Sequence, residues 1–171
     1  DREQRPSRHA GRGGAGAVMG SKGIKLIVID DEGAKRLAPM DLDAFKAANR
    51  VFSEGLKKHA VTGEGLPAYG TNVLTNVINE AGGYPTRNFQ KGRFEGASKI
   101  SGETIAEMED ARGGTSSHSC HTGCIIKCSG IYHDAEGKFL TKQPEYETVW
   151  AHGGNCEIDD PDKIAMMDRL D

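Results

Sequence analysis

Residues 118–130 read His118-Ser119-Cys120-His121-Thr122-Gly123-Cys124-Ile125-Ile126-Lys127-Cys128-Ser129-Gly130, and they hold three of the chain's four cysteines. Thiolates this dense are seldom needed to shape a domain of 171 residues. They converge on a soft cation, and the choice lies between zinc and an iron–sulfur cluster. The C-x3-C-x3-C spacing places Cys120, Cys124 and Cys128 on one side of a compact turn or irregular helix. A zinc knuckle brings its ligands as two separated pairs, whereas three thiolates in a run with a distant fourth suit an iron–sulfur cluster. Zinc, with His118, His121 or His133 completing a tetrahedron, is the competing reading. Cys156 stands apart and is expected to be an inert, buried small hydrophobe.

Bulk composition narrows the classes. Four cysteines in 171 residues do not make a disulfide framework, and no apolar leader is read at the N-terminus, so a cytoplasmic setting is expected. A net charge of −3 and a pI near 6.1 argue against nucleic acid or an anionic membrane as the main partner. No apolar run approaches the roughly 20 residues that span a bilayer. The hydrophobic share is 36%, the mean hydropathy is −0.56, and 23 glycines are about twice the usual share. Such a chain suggests a segment of something larger, or one that packs around a bulky ligand.

Upstream of the cysteines, Gly11-Arg12-Gly13-Gly14-Ala15-Gly16 reads as a flexible loop, followed by a buried strand at Lys25–Ile29. A dinucleotide fingerprint needs the order strand, glycines, helix, so that reading is weak; a loop of backbone N–H groups beside Arg8 and Arg12 suits anionic oxygens. Asp41 is a predicted N-cap for a helix to about His59, with Leu42, Phe45, Ala48, Phe52 and Leu56 as a core-facing stripe. Thr71 is read as capping a second helix, with Val73, Leu74, Val77, Ile78 and Ala81 before Gly82-Gly83. Ser101 opens a third. Downstream, Ile131–His133 and Lys138–Leu140 flank Asp134-Ala135-Glu136-Gly137 as a hairpin. Pro144 leads a helix over 145–152, and Asp160-Pro161 starts a last one. In Pro144-Glu145-Tyr146-Glu147-Thr148 two acids two positions apart point in different directions, so at most one faces a given site; the bland reading is helix-dipole complementation.

Together these motifs resemble one family. Ala10-Gly11-Arg12-Gly13-Gly14-Ala15-Gly16-Ala17-Val18-Met19-Gly20-Ser21-Lys22 is similar to the AGRGGxGAVMGSK signature of tungsten-dependent aldehyde:ferredoxin oxidoreductases. Pro85–Gln90 resembles that family's PTRNFQ, Ile100–Glu103 its ISGE, Pro144–Thr148 its PEYET, and Gly154–Asp160 its GPNxGIDD stretch. The order is preserved along the chain.

The resemblance implies a mainly α (α+β) fold: residues 1–33 as the tail of a β domain carrying one strand, and 34–171 as a mostly helical domain with a small hairpin. It implies a fragment of a larger oxidoreductase, one that is inactive in isolation. Arg8, Ala10, Gly11, Arg12, Gly13 and Gly14 would lie against the pterin of a tungsten (or molybdenum) bis-pterin cofactor. Cys120, Cys124 and Cys128 would supply ligands to a [4Fe–4S] cluster, and Glu147 would carry protons beside the metal. An aldehyde is the implied substrate, ferredoxin or an electron-transfer subunit the implied partner, with the remainder of the same enzyme completing the site. The family's more familiar cluster spacing is C-x2-C-x3-C; the shift here alters the approach of Cys120 or hands its place to His121, and Cys120 is the expected ligand. The tungsten subunit of a benzoyl-coenzyme A reductase shares these motifs. A non-catalytic zinc or iron–sulfur module and an apo fragment with free thiols are the readings from other classes.

Overall fold

The computed structural model describes residues 13–35 and 37–170. Its first helix, α1 (Ala15–Ser21), occupies the stretch expected to be an open loop. Gly13 and Gly14 precede it at φ 76 and 71. Two left-handed residues turn the chain at no Cβ cost, and the alanines behind them favour a coil of backbone. The strand expected at Lys25–Ile29 has no ladder partner among the described residues, and Leu26, Ile27, Val28 and Ile29 are 69–85% exposed rather than buried. Strand-forming residues are present there, but a strand exists only where neighbours take up its backbone groups.

Asp41 caps α2 (Leu42–Lys58) as expected, its carboxylate accepting from the amides of Asp43 and Ala44 at 3.0 and 2.9 Å. The stripe on α2 is not core, however: Leu42, Phe45 and Phe52 are each more than half exposed, and no residue of the helix is buried. A helical period orders an apolar face without deciding what covers it. A π-helical turn (Ala60–Gly65) leads to α3 (Leu66–Tyr69), a 3-10 turn (Gly70–Val73) and α4 (Leu74–Glu80). Of the second predicted stripe, Ile78 packs on the core while Val77 points outward, 61% exposed. Thr71 does not cap this helix; its hydroxyl is engaged elsewhere.

The packed body lies downstream. A 3-10 turn (Ala97–Ile100) precedes α5 (Gly102–Arg112), capped by Ser101, whose hydroxyl accepts from Thr104 N at 3.4 Å. Strands β1 (Thr115–His118), β2 (Ser129–His133) and β3 (Phe139–Lys142) form one antiparallel sheet in sequence order. The β2–β3 turn is the predicted hairpin: Asp134 Oδ1 accepts from Glu136 N and Lys138 N at 3.1 and 2.8 Å. Helix α6 (Tyr146–Thr148) continues as a π-helical turn (Val149–Gly153) and a 3-10 turn (Gly154–Cys156). Asp160 opens α7 (Pro161–Leu170), accepting from Asp162 N at 3.0 Å. Tyr84, Ile100, Ile105, Tyr132, Val149 and Ile164 form the centre of the core, each 1% exposed or less. Burying each large apolar side chain contributes about 1.5–3 kcal/mol. The result is the mainly helical architecture with a small sheet that was expected. Among the described residues no helix is long and apolar enough to cross a membrane.

Candidate metal and cofactor site

The cysteine run is the loop of the β1–β2 hairpin. His118 pairs with Ser129 across the ladder, so residues 119–128 are closed at their base by the strands. Within this loop the ligand atoms of Cys120, His121 and Cys124 lie within 4.8 Å of one another. A turn from Cys124 N to His121 O at 3.2 Å and Gly123 at φ 85 bring them together. Cys124 Sγ also accepts from Lys127 N at 3.4 Å. That amide, with smaller contributions from Ile126 N and Cys120, holds the Cys124 thiol below its ordinary pKa and favours the thiolate, the form that binds metals. Cys128 stands outside the cluster. It is the last residue before β2, so the strand register, not the loop, fixes its backbone. Cys156 is exposed rather than buried, its thiol donating to Ala151 O at 3.3 Å.

The donor set fits a soft cation. Ligands of one tetrahedral zinc, with bonds of about 2.0–2.3 Å, stand roughly 3.5–4 Å apart. Thiolates of a cluster bind separate iron atoms and stand farther apart. The arrangement as folded is compact enough for a single ion.

One 3-10 turn links this hairpin to the Glu147 helix. At Gly70 (φ 61) a Cβ would meet Gln143 Oε1 at 2.9 Å and the Cys128 carbonyl at 3.1 Å, so only glycine lets the two backbones approach. The next residue, Thr71, accepts from Tyr146 N at 2.9 Å and donates to Glu145 Oε2 at 2.7 Å. Asn72 Nδ2 donates to Pro144 O at 2.5 Å. The two acids separate as their spacing predicts. Glu145 is taken up by Thr71 and by Lys142 Nζ at 3.2 Å. Glu147 is exposed, close enough to add to the burial that raises the Tyr146 pKa.

A strained turn packs against the segment that follows α6. Thr86 and Lys91 form an antiparallel bridge, and between them Arg87, Asn88 and Phe89 have φ 49, 52 and 63. Left-handed backbone costs a residue with a Cβ roughly 1–2 kcal/mol. It is held from outside: Arg87 N and Asn88 N donate to the carbonyls of Gly154 and Asn155 at 3.1 Å each, Phe89 N donates to Asn155 Oδ1 at 3.2 Å, and the Arg87 guanidinium bonds to Glu157. The turn presents the Phe89 ring edge-on to Trp150, with centroids 5.6 Å apart.

Among the described residues, no other group lies within 4 Å of where a Cβ would be at Gly13 or Gly14. Arg8, Ala10, Gly11 and Arg12 lie outside the described residues.

The sequence model described as "Aldehyde ferredoxin oxidoreductase, domains 2 & 3" matches residues 47–170. The chain belongs to the aldehyde ferredoxin oxidoreductase family. It is 48% identical over 154 residues to the tungsten-containing aldehyde ferredoxin oxidoreductase of Pyrococcus abyssi and 47% identical over 154 residues to that of Pyrococcus horikoshii. Each alignment covers 90% of this chain and 24% of the relative. A more distant relative is the aliphatic sulfonate oxidoreductase, WOR-like subunit, of Pyrococcus furiosus, 29% identical over 169 residues, covering 94% of this chain and 25% of that protein. The chain thus spans about a quarter of the length of the curated relatives it matches.

Within this family member, three features of the structure were not anticipated. The bridging role of Thr71 and the Phe89–Trp150 pair arise from contacts between distant segments. The third is Glu109, which is 1% exposed with neither carboxylate oxygen hydrogen-bonded among the described residues. Burial, with a smaller push from Asp110, raises its pKa to about 9. The sequence gave no warning of this burial: α5 carries only Ile105 and Met108 to the core, and its other residues are small or polar.

Proposed function

We propose that this chain is part of a tungsten–pterin (or molybdenum–pterin) oxidoreductase that oxidises aldehydes to carboxylic acids. The observation that carries the reading is the single turn joining the two halves of the site: Gly70 backs onto Cys128, and Thr71 fastens the helix start that carries Glu147. When bound, the metal–pterin group would supply a two-electron acceptor for aldehyde oxidation, and a [4Fe–4S] cluster a one-electron path to ferredoxin or a partner subunit.

The chain's own residues bind, orient and move protons. Cys120, Cys124 and Cys128 would offer thiolates to the cluster, and His121 is the competing donor. Aldehyde plus water gives acid, two electrons and two protons; exposed Glu147 is the carboxylate available to take up a proton, because Glu145 is committed to Lys142 and Thr71. Gly13 and Gly14, with Arg8, Ala10, Gly11 and Arg12, would lie against a pterin and its phosphate. Residues 1–33 belong to a β domain and 34–171 to the helical one, completed by the rest of the same cytoplasmic enzyme; the segment alone is inactive.

The test is Glu147→Gln in the full-length enzyme, with metal analysis and electron paramagnetic resonance. Iron and tungsten contents are expected to stay the same while kcat falls at least a hundredfold, the usual scale of a lost acid/base group. Unchanged turnover would reject the role of Glu147. Zinc at one per chain with no iron would overturn the redox reading.

A further inference from the structure

We infer that Tyr84 is a positioning residue: its ring braces both ends of the helical segment that carries Glu147. The inference rests on the proton-transfer role given to Glu147 and names the side chain that holds that acid in register. Residues 146–156 run through three pitches in succession: α6, the π-helical turn and the 3-10 turn. No single helical ladder sets such a segment, so its course depends on what it packs against. At its start, the Tyr146 ring meets the Tyr84 ring edge-on, with centroids 6.1 Å apart and planes at 64°. At its end, a Cβ on Gly154 would meet Tyr84 Cε1 at 2.5 Å and Cδ1 at 3.0 Å. The backbone there lies flush against the same ring. Glu147 falls between the two contacts in sequence, and it adds to the burial that raises the Tyr146 pKa.

Tyr84 can brace the segment because it is itself fixed. It is 0% exposed, so its surroundings are supplied entirely by this chain. Its amide donates to Gly92 O at 2.8 Å, and its carbonyl accepts from Thr86 Oγ1 at 3.0 Å. Its phenol is enclosed beside the buried Thr75 hydroxyl, and burial raises its pKa above the ordinary 10. The group therefore stays neutral and acts through shape rather than charge. Thr71 fastens the Tyr146 amide from the backbone side. Tyr84 takes the Tyr146 ring and the far end of the segment, so neither contact replaces the other. A displacement of about 1 Å at a reacting group costs on the order of a hundredfold in rate, so a side chain that touches no substrate can govern turnover.

The experiment uses the full-length enzyme with Tyr84→Leu, Tyr84→Phe, Gly154→Ala and, as a control, Ile105→Ala, which opens the same core away from this segment. Gly154 has ordinary helical angles, so Gly154→Ala acts by pressing a methyl into the Tyr84 ring and Pro85 O. Steady-state rates and amide hydrogen exchange over residues 147–154 are measured. Tyr84→Leu and Gly154→Ala are each expected to lower kcat about a hundredfold with KM little changed, and to speed exchange across the segment. Tyr84→Phe, which keeps the ring, should restore most of both. Ile105→Ala should lose stability in urea without either effect. In a Glu147→Gln background, Tyr84→Leu should lower kcat no further. Equal losses with and without Glu147, or losses no larger than those of Ile105→Ala, would overturn the inference. If Glu147→Gln alone leaves turnover intact, the proton-transfer reading fails. Exchange that quickens in Tyr84→Leu and Gly154→Ala but not in Ile105→Ala would then still establish the brace, and unchanged exchange would refute it as well.

Discussion

Thr71 and Tyr146 are 75 residues apart, yet the Thr71 hydroxyl accepts the Tyr146 amide proton at 2.9 Å and so caps the helix that carries Glu147. A helix this short cannot hold itself in place, since its first amides have no partners within it. The same hydroxyl donates to Glu145, which fixes the neighbouring acid. Thr71→Ala is expected to cost about 1 kcal/mol in chemical unfolding, the usual value of a lost cap. In the full-length enzyme kcat should fall more than KM rises, and Thr71→Ser should restore both. A Thr71→Ala enzyme with wild-type stability and kcat would show that the helix start is positioned by something else.

Glu109 makes a second, independent prediction. Its pKa is about 9 in the fold against an ordinary 4.5, so the folded state holds a proton that the unfolded state releases between those values. The unfolded state is therefore increasingly favoured as pH rises through that window, and stability falls by up to roughly 1.4 kcal/mol per pH unit. It is full below pH 4.5 and lowest above 9. Glu109→Gln keeps the shape and cannot ionise. The variant should be more stable than wild type by roughly 3 kcal/mol at pH 7, with a flat profile between those limits. Parallel pH profiles for the two proteins in urea unfolding would refute this.

What was legible in the sequence is what is local. Asp41, Ser101 and Asp160 cap the helices they were expected to cap, because a cap is decided by a side chain and an amide two or three residues on. The Asp134–Gly137 turn was legible for the same reason. Strand β1 was not: Thr115-Ser116-Ser117-His118 has no apolar alternation, and it is a strand because β2 pairs with it. The α2 stripe and Leu26–Ile29 were readable as apolar but not as buried, since burial depends on what lies opposite. At the site, spacing alone pointed to Cys120, Cys124 and Cys128 converging. The fold adds that the ligand atoms of Cys120, His121 and Cys124 lie within 4.8 Å of one another, with Cys128 at the base of the hairpin, just before β2.

The choice between Cys120 and His121 is testable. Cys124 is central to the cluster of ligand atoms whichever of Cys120 and His121 completes it. Cys124→Ser is expected to abolish the visible absorption and iron content of the full-length enzyme. Cys120→Ser and His121→Ala should differ from each other: the true ligand loses iron, and the bystander keeps it. A histidine ligand would raise the cluster potential, so a midpoint titration separates the two cases in the wild type as well. Retention of full iron and colour by Cys124→Ser would remove the hairpin from the cluster site.

The last prediction concerns how α5 is tied to α7. Arg112 Nη1 and Nη2 donate to Asp162 Oδ1 and Oδ2 at 2.5 and 3.0 Å, a bidentate pair, and the buried Tyr132 hydroxyl donates to Oδ1 at 2.8 Å. The guanidinium, more than the tyrosine, holds the Asp162 carboxyl below its ordinary pKa of 3.8. A lowered acid contributes stability that is present above the unfolded value and is lost as pH falls through the folded one. The Asp162 side chain is 43% exposed, so solvent screens the charge and the bidentate geometry carries most of the effect. Asp162→Asn should therefore cost about 1–2 kcal/mol at pH 7. Its stability should converge with that of the wild type as the pH is lowered well below 3.8, where the wild-type carboxyl is also neutral. A gap between the two proteins that stays constant into that acid range would mean the charge of Asp162 contributes nothing, and that only the shape of its contacts with Arg112 and Tyr132 matters.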